Sequence, residues 1–329
     1  MVGCHRSGTN LLYDNLLSAG GFAVYRGYLP VYKMLVPRFG RIDKAENRRR
    51  IVETWMRSKG FRRSGLDPEA LKTMLLEQAR SSGDFIRIVM DQISRAQGTE
   101  RWAVYDPDNL LYIPDIKRDI PNALFLHIVR DGRDIAVSLK KMGGFRPIPW
   151  GEPADLSATA LYWQWMVETG RHYGRRFAAD YLEVRYEELV AEPQRTLTAI
   201  GRFLDHDLNY ERIQSAGLGS LSESNSSFRG QTDDAAAQPV GRWRQKLSPA
   251  EVASLESLIG ECLQDCGYSL TASAATHRPG LQDRWMRAFY PAFLSGKLWL
   301  KRQTPAGRWT SLAPLDLSDA APGAESSAL

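Results

Sequence analysis

Residues Gly3-Cys4-His5-Arg6-Ser7-Gly8-Thr9-Asn10 carry the densest chemistry in the chain and lead straight into Leu11-Leu12. A glycine-bracketed turn entering a helix aims several backbone N–H groups at one point, and the helix adds the positive end of its dipole. With Arg6 and two hydroxyls beside it, such a turn is a receptor for phosphate or sulfate. It lacks the Gly-Lys-Ser/Thr ending of the common nucleoside-triphosphate loop, in which the lysine reaches the terminal phosphates and the hydroxyl holds magnesium. Here the cation, Arg6, comes before the glycine at position 8. A plain helix cap by Ser7 or Thr9 is the competing reading.

A second segment has matching chemistry. Leu124 to Val129 is an apolar run broken only by His127, followed by Arg130-Asp131-Gly132-Arg133-Asp134 and an amphipathic stretch to Leu139. That order reads as a buried parallel strand and the helix after it. Arg130 stands where the strand stops and Ser138 about two turns into the helix, so both can face the same mouth of a sheet.

Two further motifs complete a recognisable set: Val184-Arg185-Tyr186-Glu187-Glu188-Leu189-Val190 with Pro193 beyond, and Gly241-Arg242-Trp243-Arg244. In this order, over residues 3 to about 270, the four segments resemble the sulfotransferases that use PAPS (3′-phosphoadenosine 5′-phosphosulfate), bacterial in type and similar to protein-tyrosine and carbohydrate sulfotransferases. The resemblance implies that Arg6, Ser7, Gly8, Thr9 and Asn10 form the 5′-phosphosulfate loop and that Arg130 and Ser138 hold the 3′-phosphate. It also implies that Gly241, Arg242, Trp243 and Arg244 close over the nucleotide, with Arg185 and Tyr186 in the strand-end motif. The implied fold is a P-loop-type three-layer α/β structure with a central parallel sheet flanked by helices. The implied reaction moves a sulfuryl group to a hydroxyl or amine of a saccharide, lipid, peptide or other small acceptor.

The residue types suit that chemistry. Arginine binds phosphate in a bidentate way that lysine cannot. In-line transfer is served mostly by positioning and electrostatic stabilisation, by analogy with phosphoryl transfer. A metal is not required by this logic. Two departures stand out. Where many relatives carry a lysine before a Thr/Asp-Pro, this chain has Tyr105-Asp106-Pro107, a neutral donor in place of a cation. The carboxylate base of the protein-tyrosine enzymes also has no counterpart in Val24-Tyr25-Arg26-Gly27-Tyr28. His5, within the loop, is the leading candidate base because its ordinary pKa suits neutral pH; the alternative is that it only spaces the turn. Asp14 and Asp106 are weaker candidates with surface or capping roles, His127 reads as a core histidine, and His172 and His206 as helix-surface or loop residues.

Composition fits a soluble enzyme placed in the cytoplasm: 329 residues, 43% hydrophobic and 25% charged, with no secretory signal or long apolar span. Cys4, Cys262 and Cys266 make no disulfide framework, and the last two, one helical turn apart, read as packing. Residues 38–63 hold ten Lys/Arg against three acids, either a solvated helix face or a patch for an anionic acceptor. The pI of about 9.1 admits nucleic acid, but no helix-turn-helix, RNA-binding or zinc-finger pattern supports it. A nucleotide-binding or membrane-associated protein that kept the fold and lost transfer is the second reading. An ATP-dependent kinase is disfavoured.

Alternation of strands and helices organises the chain. Strands are expected at 1–4, near 22–25, and at 102–105, 123–129 and 181–185. Helices are expected at 9–18, 108–119, 133–142, 155–178, 193–204 and 249–266, with Asp67 and Asp84 as caps inside a basic helical region at 44–98. Only two residues precede Gly3, whereas strands run ~5–6 residues, so the first strand is clipped or begins upstream. Residues 1–270 form the α/β domain, and 44–98 is its acceptor-side insertion. The Ser/Gly/Asn-rich stretch 216–240 is a mobile lid. Residues 271–329 form a C-terminal segment. Within it, 281–302 is aromatic, basic and amphipathic, interrupted by Pro291, and either docks on the main domain or makes peripheral membrane contact. Disorder is expected after Thr310.

Overall fold

The computed structural model of the chain describes residues 1–140, 155–221, 239–271 and 281–317. In chain order its main elements are β1 (Val2–Gly3), α1 (Thr9–Ser18), α2 (Ala45–Met56), α3 (Pro68–Gln78), α4 (Ser82–Ala96) and β2 (Phe125–Val129). After them come α5 (Gly132–Lys140), α6 (Leu156–Arg176), β3 (Tyr181–Arg185), α7 (Pro193–Leu204), α8 (Pro249–Asp265) and α9 (Leu281–Gln303). The chain forms two compact units, one of Met1–Ala19 with Leu124–Gly296, the other of Gly20–Ala123 with Lys297–Leu329.

The first unit is built on a parallel sheet in the order β1-β2-β3. Val2 lies opposite His127 and Gly3 opposite Ile128, while Phe125 to Val129 pair with Tyr181 to Arg185. All five β2 residues are buried. Because successive strand residues point to opposite faces, both faces of the sheet are covered, which gives the three-layer α/β arrangement. Each strand ends at the same edge in a turn that enters a helix, so Arg6 and Arg130 emerge side by side. The Asp131 side chain accepts the Arg133 N–H at 2.9 Å and turns the chain into α5. His127 is fully buried, with Nδ1 bonded to the Tyr181 hydroxyl, as a core histidine should be.

The second unit contains the helical region read at 44–98. Asp67 caps α3 by accepting from Ala70 N–H. In α4 the cap is Ser81, with Asp84 as its reciprocal partner rather than the cap itself. All three acids of the basic stretch are paired within it, Arg41 with Asp43, Arg49 with Glu53 and Arg50 with Glu46, and the stretch as a whole stays strongly basic. Arg48 is buried, donating to the carbonyls of Leu76 and Ile42.

Four expectations need correction. The strands at 22–25 and 102–105 do not form, leaving one parallel bridge between Phe22 and Arg101. The reason is competition from a distant residue: the Gln97 side chain takes both backbone groups of Val24, at 2.7 and 2.9 Å, so no ladder extends past Ala23. The helix expected at 108–119 is split into a tight turn over Pro107–Tyr112 and a helix over Ile113–Asp119. Pro291 does not interrupt α9, which runs through it. Order continues past Thr310, since Leu315 is 2% exposed and Leu317 bridges Ser58. The lid expectation falls mostly on residues 222–238, outside the described residues.

Candidate anion-binding site

The loop after β1 is held in an unusual backbone. Arg6 has φ 72°, and Gly8 has φ 99° as the N-cap of α1. A left-handed arginine costs on the order of 1–3 kcal/mol, which the surroundings must offset. At Gly8 only glycine fits, since a Cβ would lie 2.4 Å from the Tyr186 ring. No side chain caps α1. Ser7 is fully buried, yet its Oγ has no partner among the described residues. Neither Ser7 nor Thr9 therefore serves as a plain cap, and the hydroxyl and the helix end remain available to an anion. Thr9 is buried and Asn10 exposed.

Arg6 and Arg130 meet over this loop. Arg6 Nε donates to Ser138 Oγ at 3.1 Å, and Arg130 Nη1 donates to the Arg6 carbonyl at 3.2 Å. Arg130 is 6% exposed, stacks 4.5 Å above the Tyr186 ring, and keeps an Nε without a partner among the described residues. Burial, then the neighbouring charges of Arg130 and Arg242, pull the Arg6 pKa below its ordinary value. Three guanidiniums thus face one region, a field that favours a multiply charged anion.

Asp134 ties the late loop to this group. Its carboxylate accepts the N–H of Gly241 at 2.8 Å and of Trp243 at 2.9 Å, and lies 3.6 Å from Arg130 Nη2. Burial pushes the Asp134 carboxyl upward against the pull of Arg130. The Trp243 ring sits between Arg133, 3.9 Å away, and Arg244, at 4.2 Å. Arg133 is in turn held by Asp131 and Glu256. Sequence reasoning passed over Asp131, Arg133, Asp134 and Glu256. The alternating charges of Arg130 to Asp134 at a helix start were the available signal.

Arg185 goes elsewhere. Adjacent residues at the end of β3 point to opposite sides, so Tyr186 joins Arg130 while Arg185 lies 4.7 Å over the Tyr268 ring. There it lines a neighbouring cleft of about 460 Å³ together with Glu187, Arg242, Arg244 and Tyr268. His5 is half-buried within the loop. Asp14, read as a surface residue, is instead 2% exposed on α1. Asp106 does act as a cap, accepting from Asp108 N–H at 3.1 Å. Tyr105 belongs to the second unit. Beside its motif stands a cation the sequence reading missed: Lys33 Nζ, 3.6 Å from Asp106 and 2.5 Å from Asp108. Burial works against the charge of Lys33, but the two carboxylates outweigh it and hold its pKa above the ordinary value.

A parallel sheet whose strands run at its carboxyl edge into turns that enter helices defines a P-loop-like α/β protein. The Sulfotransferase family model matches residues 1–210, and the chain belongs to that family. A Caenorhabditis elegans protein named "Putative protein-tyrosine sulfotransferase" is 25% identical over 115 residues, 34% of this chain and 43% of the worm protein. The chain thus matches less than half the length of that relative. In fold, the chain is similar to the sulfotransferase domain of the Synechococcus PCC 7002 olefin synthase (TM-score 0.54, 20% identity, 82% of this chain and 94% of that one). It is likewise similar to the sulfotransferase domain from the curacin biosynthetic pathway (TM-score 0.55, 16% identity, 82% and 97%).

Proposed function

We propose that the chain transfers a sulfuryl group from PAPS to a hydroxyl or amine of an acceptor, by in-line displacement. The observation that carries the reading is the meeting of Arg6, Ser138 and Arg130 around a buried Ser7 hydroxyl and an uncapped helix start. These residues fit an anionic nucleotide: Ser7 Oγ and Arg130 Nε are buried donors with capacity to spare, and Gly8 leaves the turn clear of a side chain. PAPS would supply the activated sulfuryl group. Ser7, Gly8, Thr9 and Asn10 would hold one end of it, and Arg130, Ser138 and the Gly241–Arg244 loop the other, with Arg6 stabilising developing charge.

His5 is the proposed base and Tyr105 a proposed neutral donor. The 44–98 region is proposed as the acceptor side. The acceptor is a saccharide, lipid, peptide or phenol, and the protein acts in the cytoplasm. The experiment is labelled-sulfate transfer from PAPS across a panel of these four acceptor classes, with calorimetry of PAP (3′-phosphoadenosine 5′-phosphate) against AMP. Preference for PAP with transfer to one class supports the reading. Equal affinity for PAP and AMP overturns the 3′-phosphate assignment, and binding without transfer to any class favours a catalytically silent binding protein.

A further inference from the structure

The cleft beside the donor loop holds a charge surplus that the proposed transfer does not use. It measures about 460 Å³ and lies within the first unit, between the end of β3 and the Gly241–Arg244 loop. Among the described residues, four arginines and two acids line it. Arg133 is fully committed: Asp131 takes its Nε and Nη2 at 3.0 and 2.8 Å, and Glu256 takes its Nη1. Glu187 is committed too, accepting the Asp131 N–H at 3.0 Å and the Tyr268 hydroxyl at 2.8 Å. Arg185 is not matched in this way. Its ion pair with the exposed Glu188 is long, at 3.5 Å, and its Nε has no partner among the described residues. Arg244 is exposed, rests on the Trp243 ring at 4.2 Å and has no ion pair among the described residues. The Trp243 indole, 4% exposed, likewise keeps an N–H without a partner among them.

These residues select the ligand. Arginine grips an oxyanion with two parallel bonds from its planar fork. Arg185, Arg242 and Arg244 set against Glu187 leave two positive charges over, and a phosphate monoester is close to doubly charged at pH 7. The cleft falls in the range of small-molecule sites, roughly 300–1,000 Å³, so it has room for more than a bare ion. Tyr268 and Trp243 supply aromatic wall for an organic body. Arg185 and Tyr186 leave β3 in opposite directions, with Tyr186 under Arg130 at 4.5 Å. The cleft and the donor loop therefore lie on two sides of the strand end and share the Gly241–Arg244 loop.

We propose that this cleft is a second anion site, for a phosphate monoester on a small organic body, and that its occupation weakens donor binding. Arg242 links the two sites. Its charge acts on Arg6, so an anion held at Arg242 from the cleft cancels part of the field that draws the donor and adds a like charge nearby. By linkage, the donor weakens the cleft ligand by the same factor. The cleft site stands apart from the sulfuryl-transfer reading; only its coupling rests on that reading.

The test is calorimetry of PAP on the full chain at rising phenyl phosphate. PAP affinity should fall about fivefold and then level off, because two coupled sites give a plateau and competition for one site gives none. Arg185→Gln should raise the phenyl phosphate concentration at half effect about tenfold, the loss of a charge-assisted hydrogen bond, with PAP affinity in its absence unchanged. Where that variant lowers the thermal midpoint, Arg244→Gln, at an exposed position, decides: it should raise the same concentration by a similar factor. Inorganic phosphate should need about tenfold more than phenyl phosphate, since it buries no ring. Loss of PAP affinity without a plateau, or a half-effect concentration that the deciding variant leaves in place, overturns the proposal. So does inorganic phosphate acting as well as phenyl phosphate, which makes the cleft a site for an adventitious ion only. Direct titration of phenyl phosphate separates the two readings: a chain that binds it through Arg185 but takes no PAP keeps this site and loses the donor assignment.

Discussion

Arg6 Nε and Ser138 Oγ lie 3.1 Å apart although 132 residues separate them in the chain. The contact follows from register. Gly3 pairs with Ile128, so the turn after β1 and the turn after β2 leave the sheet at one level. Arg6 then reaches across to α5, and Arg130 returns a bond to the Arg6 carbonyl. Two arginines read from separate motifs thus belong to one hydrogen-bonded assembly.

Arg130→Ala should weaken PAP binding about a hundredfold, the scale of losing charge-assisted hydrogen bonds worth about 3 kcal/mol. Calorimetry measures it directly. Unchanged affinity would mean that Arg130 serves only to brace the Arg6 carbonyl and Tyr186.

Asp134→Asn should lower stability by about 2–3 kcal/mol in urea unfolding. The carboxylate now accepts two backbone N–H groups, from Gly241 and Trp243. An amide can accept one, but it turns an N–H toward the other. A denaturation midpoint equal to the parent's would show that the loop is held by the Arg133–Trp243 stack alone.

Gly8→Ala should distort the loop rather than only destabilise it. The backbone there is left-handed and the added methyl meets the Tyr186 ring. Tyr186 also stacks on Arg130, so its displacement carries into the site. The expected result is a cost of about 1–3 kcal/mol together with weaker anion binding. Full retention of both by calorimetry and thermal melting would contradict the geometry.

Stability should fall on acidification through His127. Burial lowers its folded pKa from 6.5 to about 4. Between those values the unfolded chain binds a proton that the folded chain does not, so the stabilisation is complete above 6.5 and lost as the pH drops toward 4. Its full size is about 3 kcal/mol. In His127→Gln the difference from the parent should shrink steadily over that window. A constant difference across it would show that the histidine does not titrate on unfolding.

His5→Ala should lower turnover about a hundredfold or more, with donor affinity little changed, if this histidine takes the acceptor proton. Steady-state kinetics separates the two quantities. Equal turnover removes His5 as base.

The sequence alone determined the contacts that are local. The Gly3–Asn10 turn into α1, the buried β2 followed by Arg130 and α5, and the capped start of α3 are set by residues within a few positions of one another. Their periodicity and caps are visible in a string of letters. Strands at 22–25 and 102–105 looked as credible by the same signs, but a Gln97 side chain competes for the Val24 backbone, and no local pattern reveals that competition. Tertiary structure also decided which way each strand-end side chain points: Tyr186 toward Arg130, Arg185 toward Tyr268. It placed Asp134 beneath a loop more than a hundred residues on and Lys33 beside Asp106, because ion pairs and N–H acceptors are chosen by proximity in space.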